Sequence, residues 1–139
     1  VKDICSAILK NVFTDQEITD ADITLIFVKD ELLAQLKKKY FGKNHLTDVI
    51  TFRLNDESEQ QIEGEIYISL PRAKENALKF DVPFEKEIAR LIIHGSLHLI
   101  GYTDDTSGSK NEMTHLEDRY LETTIWNNIL NSTKEMINE

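Results

Sequence analysis

Residues 81–101 read DVPFEKEIARLIIHGSLHLIG. Pro83 can stand near a helix start, where a missing N–H costs nothing. Glu85 and Glu87 suit the positive end of a helix dipole, and Gly101 can end the helix. Ile88, Leu91, Ile92, Gly95 and Leu99 recur at helical spacing on one face. So apolar a helix must be covered by other elements, which makes it the central helix of the domain.

Working outward toward the N-terminus, VKDICSAILKNVF places Val1, Ile4, Cys5, Ile8, Val12 and Phe13 on one helical face. Its polar face has little excess of lysine, as a core helix would and a membrane-surface helix would not. Ile23–Val28 is β-branched and almost wholly apolar, so a strand buried on both faces is expected. Asp30 can cap a helix through Tyr40, with Gly42 as its stop. TDVITFRL alternates as a strand, and a helix between two strands predicts a parallel, right-handed βαβ crossover. The acidic loop NDESEQQ leads to a further strand over Glu63–Leu70, antiparallel to the one before it.

Ser69 and Pro71 open a helix through Phe80. Beyond the central helix, Ser109 and Glu112 form a capping box for a last helix, with Met113, Leu116, Tyr120 and Leu121 on one face. The expectation is a single α+β domain spanning residues 1–139. It has a small mixed β-sheet with a βαβ crossover, packed against several helices around the central one.

The chain has 139 residues, 40% of them hydrophobic, enough to bury a core. A net charge of −9 argues against a protein that coats nucleic acid by bulk electrostatics. Positive charge is nonetheless clustered at Lys37, Lys38, Lys39 and Lys43, with Arg53 near in sequence. That cluster reads either as a local basic groove or as a solvated helix end complementing its dipole. No apolar run approaches the roughly 18 residues of a membrane span, and no stretch has a secretory-signal layout. One cysteine, Cys5, cannot form an intramolecular disulfide, which fits a reducing compartment. A start at Val1 rather than Met suggests that a short leading element is missing.

The candidate chemistry lies at the end of the central helix. His94 and His98 are four apart, so both imidazoles can aim at one point, as in many helical zinc sites. Alone, such a pair is more often accidental than functional. Gly101 then lets the chain double back, and Asp104 stands ten residues past His94 and six past His98. That is the offset of the third ligand in the extended zinc motif, and a carboxylate is an acceptable zinc ligand. Gly95 occupies the position where an HExxH peptidase keeps its glutamate base, which counts against that class. Three protein ligands leave a position for water, and hydrolysis is the natural reaction class.

These residues resemble the YbeY family of bacterial metal-dependent endoribonucleases. His94 to Tyr102, HGSLHLIGY, matches the family signature H-G-x-L-H-L-x-G-Y-D-H position by position. Thr47 to Phe52 resembles the family's T-[DN]-V-[LI]-S-F strand, and Gly64-Glu65-Ile66 its G-[DE]-[ILV] strand start. In the family a further N-terminal strand usually precedes the first helix. The resemblance implies a zinc-dependent, single-strand-selective hydrolase of RNA. Its implied setting is the cytoplasm, in ribosomal RNA maturation at the small-subunit 3′ end and in ribosome quality control, with RNA and the ribosome as partners. It implies His94, His98 and Asp104 as metal ligands.

Two departures stand out. Thr103 and Asp104 replace the family's aspartate and last histidine, and Phe41 stands where relatives carry arginine. Lys43, which keeps its family position, and Arg53 are the candidate phosphate contacts, with solvated charges as the plainer reading. Two other functions compete: a metal-dependent hydrolase of another substrate, such as a peptide, and a non-catalytic ribosome-assembly protein with a structural metal.

Overall fold

The structure is a computed structural model that describes residues 3–42, 47–127 and 129. Helix α1 (Asp3–Asp15) leads into strand β1 (Ala21–Val28), helix α2 (Asp30–Phe41) and strand β2 (Val49–Arg53). Strand β3 (Ile62–Ser69) runs directly into helix α3 (Leu70–Phe80), followed by α4 (Phe84–Ile100) and α5 (Ser107–Glu122). The fold is α+β with a small mixed sheet, as the pattern of the sequence indicated.

The sheet order is β1-β3-β2, with β3 parallel to β1 and antiparallel to β2. The antiparallel β2–β3 pair is as expected. The crossover differs in its end point: the parallel partner of β1 is β3, and β2 lies on the far side of β3, antiparallel to both. The parallel connection therefore carries both α2 and β2 between its strands. This also corrects the reading of β1 as buried on both faces. As an edge strand it buries Leu25 and Phe27 and leaves Ile23, Ile26 and Val28 only partly covered.

Local signals account for most helix ends. Ser69 caps α3, its Oγ accepting from the Arg72 N–H at 3.1 Å, with proline in the first turn. Gly42 ends α2 in the left-handed region at φ 65°, where glycine has no steric penalty. Asp30 is the first residue of α2, not its cap; its carboxylate instead accepts from the Ser69 hydroxyl. The capping box of α5 is Thr106 with Ser109, three residues earlier than expected.

Helix α4 is the hub. It packs against α1, α3, α5, β2 and β3, and Ile88, Leu91, Ile92, Ile93, Leu97 and Leu99 are buried along it. Ile62, Ile66 and Ile68 of β3 are buried beneath it, while Cys5, Ile8, Val12 and Phe13 of α1 close the same core. Two glycines set how near helix and sheet come. A Cβ on Gly64 would stand 2.9 Å from the Leu99 methyls, and one on Gly95 would stand 2.8 Å from Ile66 Cγ2 and 3.3 Å from Thr51 Cγ2. The position where a zinc peptidase keeps its base is thus pressed against the sheet, with no room for a side chain. Gly95→Ala is expected to lower stability by about 1–3 kcal/mol, the usual range for forcing atoms into a packed core. Urea unfolding of the two proteins measures it.

Candidate functional site

Glu87, Arg90, His94 and His98 are hydrogen-bonding side chains set among the apolar residues of α4. Their spacings of three and four place them along one stripe of the helix. Helix α5 crosses this stripe and contributes Glu117, which is 5% exposed. Arg90 donates to Glu87 Oε2 at 2.6 Å and to Glu117 Oε1 at 3.1 Å. Burial works against the Arg90 charge, but the two carboxylates outweigh it and hold the guanidinium pKa above its ordinary value. Asn76 of α3 extends the network, donating to Glu87 Oε2 at 3.2 Å and Asp48 Oδ2 at 2.9 Å.

The histidines stand at the open end of this stripe. His94 Nδ1 lies 2.7 Å from Glu117 Oε2, and His98 Nδ1 lies 3.0 Å from the Tyr102 carbonyl. Both partners are acceptors, so each Nδ1 carries a hydrogen, and in the neutral form of each ring Nε2 keeps a lone pair. Those two Nε2 atoms face one another at 3.1 Å, and Asp104 Oδ2 is 3.6 Å from both. Burial, with His94 beside it, holds the His98 pKa below its ordinary value despite Asp104, which favours the neutral, donating imidazole. Facing lone pairs repel unless a proton or a cation lies between them.

The three ligand atoms all lie within 4.8 Å of one another. Two nitrogens on one tetrahedral zinc at ~2.0–2.1 Å lie roughly 3.3 Å apart, so the donor set and its spacing fit such an ion. Glu117 completes the carboxylate–histidine arrangement that usually stands behind a metal-bound imidazole.

The turn after α4 delivers the carboxylate. Gly101 at φ 127° ends the helix, with its own N–H and that of Tyr102 both returning to Leu97 O. The Tyr102 hydroxyl donates to Gln16 Oε1 at 2.9 Å, tying the turn to the end of α1. Asp104 then points at the histidine pair. Asp105 instead accepts from Ser109 Oγ at 3.4 Å, at the start of α5.

A cleft of about 340 Å³ opens over the pair. It is lined by His94, His98 and Asp104, by Asp48 and by Thr51 of β2, and by Lys37 and Phe41 of α2. The remaining sequence-derived candidates fare differently. Arg53 lies outside this cleft: its Nε donates to Asn55 Oδ1 at 2.7 Å, and its terminal nitrogens reach the carbonyls of Leu99, Asp56, Glu59 and Gln61. It fastens the acidic loop to α4. Lys43 lies outside the described residues. Cys5 is buried in the core, which pushes its thiol up to about 11 and leaves it protonated and inert. Glu117 went unnoticed in the sequence, although its place between Met113 and Tyr120 on the buried face of α5 marks it as a carboxylate with a partner.

A family model described as Endoribonuclease YbeY matches residues 1–125. The chain belongs to the YbeY family. It is 43% identical over 100 residues to the endoribonuclease YbeY of Karelsulcia muelleri, covering 72% of this chain and 70% of that one. The YbeY of Flavobacterium psychrophilum is 39% identical over 115 residues, with coverages of 81% and 79%. The solution structure of TM1509 from Thermotoga maritima superposes with a TM-score of 0.61 at 33% identity, covering 85% of this chain and 77% of that one. YbeY relatives are thus similar to this chain in both sequence and fold.

Glu117→Gln keeps the size of the side chain and leaves Arg90 its bond to Glu87, but weakens the acceptor behind His94. The variant is expected to bind zinc about 10–100-fold more weakly, the usual cost of losing such a partner. Competition titration against a chelating dye reads the difference.

Proposed function

We propose that this protein is a zinc-dependent endoribonuclease for single-stranded RNA, acting in the cytoplasm in maturation of the small-subunit ribosomal RNA 3′ end and in ribosome quality control. In this reading residues 1–139 form one metallohydrolase domain. The observation that carries it is the pair of Nε2 atoms 3.1 Å apart with Asp104 Oδ2 3.6 Å from each, in a chain of the YbeY family.

His94, His98 and Asp104 would hold the ion. Bound there, zinc supplies Lewis acidity and makes water a nucleophile near neutral pH. The chain's own residues do the rest. Glu117 and the Tyr102 carbonyl fix the two imidazoles in the tautomer that leaves Nε2 available. Lys37 brings positive charge to the cleft, and it and Lys43 of the same basic stretch are the phosphate contacts. Arg53 is withdrawn from that role because carbonyl and amide oxygens occupy its N–H groups.

The competing readings are weaker. A peptidase of the HExxH kind lacks both the glutamate and the space for one at Gly95. A purely structural metal would call for a closed set of four ligands, whereas the cluster among the described residues has three. No described helix is long and apolar enough to cross a membrane.

Two experiments test the proposal. His98→Ala should abolish zinc-stimulated cleavage of a single-stranded RNA while the far-ultraviolet circular dichroism stays close to that of the parent, since alanine is a strong helix former. Cleavage equal to the parent, from preparations free of contaminating nuclease, would sink the metal mechanism. Asp104→Ala should bind zinc more weakly than Asp105→Ala, and Asp104→His should retain it, because imidazole is also a good ligand. The reverse order in zinc titrations would move the third ligand to Asp105.

A further inference from the structure

Helix α2 ends Lys37-Lys38-Lys39-Tyr40-Phe41, the longest run of like charge in a chain whose net charge is −9. The two rings that close it are open to solvent, Tyr40 at 57% and Phe41 at 47% exposure. They are braced from behind. Phe52 of β2 meets the Tyr40 ring edge-on with centroids 5.2 Å apart, and lies near-parallel to Phe41 at 6.0 Å. Phe52 itself rests against Tyr67 of β3 at 5.8 Å.

Each exposed ring also carries a cation. Lys37 Nζ stands 5.1 Å from the Phe41 centroid and Lys39 Nζ 5.3 Å from that of Tyr40. Rings fixed at the back, open at the front and accompanied by flexible positive charge suit a planar base joined to a phosphate. Phe41 and Lys37 line the same cleft as His94, His98 and Asp104.

We propose that Tyr40 and Phe41, flanked by Lys37 and Lys39, form a platform on which unpaired nucleobases stack beside the metal centre. The proposal rests on the ribonuclease reading and deepens it by naming how the substrate is held. Bases within a duplex already have both faces stacked and cannot use such a platform, so the surface selects flexible, unpaired strands. A purely electrostatic groove would hold the ribose-phosphate chain and ignore the bases.

The test compares two probes of equal length: a short oligoribonucleotide, and the same ribose-phosphate oligomer without bases. Binding is measured with EDTA present to hold cleavage off, and native cleavage with zinc is measured alongside. The native protein should prefer the base-bearing oligomer by roughly 5–150-fold for each stacked base. Phe41→Leu and Tyr40→Leu should each reduce that preference, and Phe41→Trp should preserve it, with the zinc affinity of all three near that of the parent. Equal affinity of the native protein for the two oligomers overturns the platform and gives the patch to a protein partner. A base preference that both leucine variants leave intact overturns it as well, because the bases then stack elsewhere. Cleavage without base preference sinks the platform alone, whereas base preference without cleavage supports the platform and sinks the ribonuclease reading beneath it.

Discussion

A helix buried on nearly every side carries a stripe of four hydrogen-bonding groups, and the surrounding elements answer that constraint. Glu87, Arg90, His94 and His98 cannot be left unpartnered among the isoleucines and leucines of α4, since an uncompensated buried charge costs several kcal/mol. Asn76 of α3 and Glu117 of α5 supply the partners. The helices around α4 are therefore positioned by polar pairing as well as by apolar contact. To one side of the stripe, Gly95 lets α4 approach the sheet, and Gly64 of β3 does the same from the sheet, until backbone and methyl groups touch. One end of the stripe is closed by Arg90 and its two carboxylates. The other end opens to solvent as two imidazoles whose Nε2 atoms face one another.

That division gives the candidate site a packed base and an open end. In the buried part Glu87, Arg90, Asn76 and Glu117 are paired with one another. The exposed part gathers its three candidate donor atoms from two sources, α4 and the turn that follows it. The turn is itself held by Tyr102, through its hydroxyl to α1 and its carbonyl to His98. The carboxylate of Asp104 supplies an oxygen donor and with it one negative charge beside the imidazoles. Lys37 is the cation among the described residues that line the cleft.

What could be read from the sequence was mostly local. The histidine pair, the Gly101 turn and the offset of Asp104 are relations within eleven residues, fixed by helix geometry. The central helix, the Ser69 cap and the Gly42 stop were legible for the same reason. Relations across the chain were not. Glu117 lies 23 residues from His94, and only its place on a buried face betrays it. The β1 run looked buried on both sides because its residues are apolar, yet it is an edge strand, and strand order is set by pairings that no local pattern records. The acceptors around Arg53 are largely backbone carbonyls, which have no signature in sequence, so a side chain that fastens a loop looked like a free cation. The capping box of α5 shifted by three residues because hydroxyl side chains recur at that spacing.

The parallel pairing of β1 with β3 has a consequence for how the chain comes to be folded. Ala21 pairs with Ile62 and Val28 with Ser69, partners separated by roughly forty residues, and such distant pairings form late. During synthesis at about 5–20 residues per second, β1 emerges some seconds before the strand it needs. Through that interval Leu25 and Phe27 have no sheet to enter, and a β-branched apolar segment in that condition is prone to pair with a copy of itself. Charges bound its apolar stretch, with Asp20 and Asp22 before Ile23, and Lys29, Asp30 and Glu31 after Val28. Charges so placed act as gatekeepers that discourage strand addition. The same flanks that mark the ends of β1 in the finished sheet also protect it while the sheet does not yet exist.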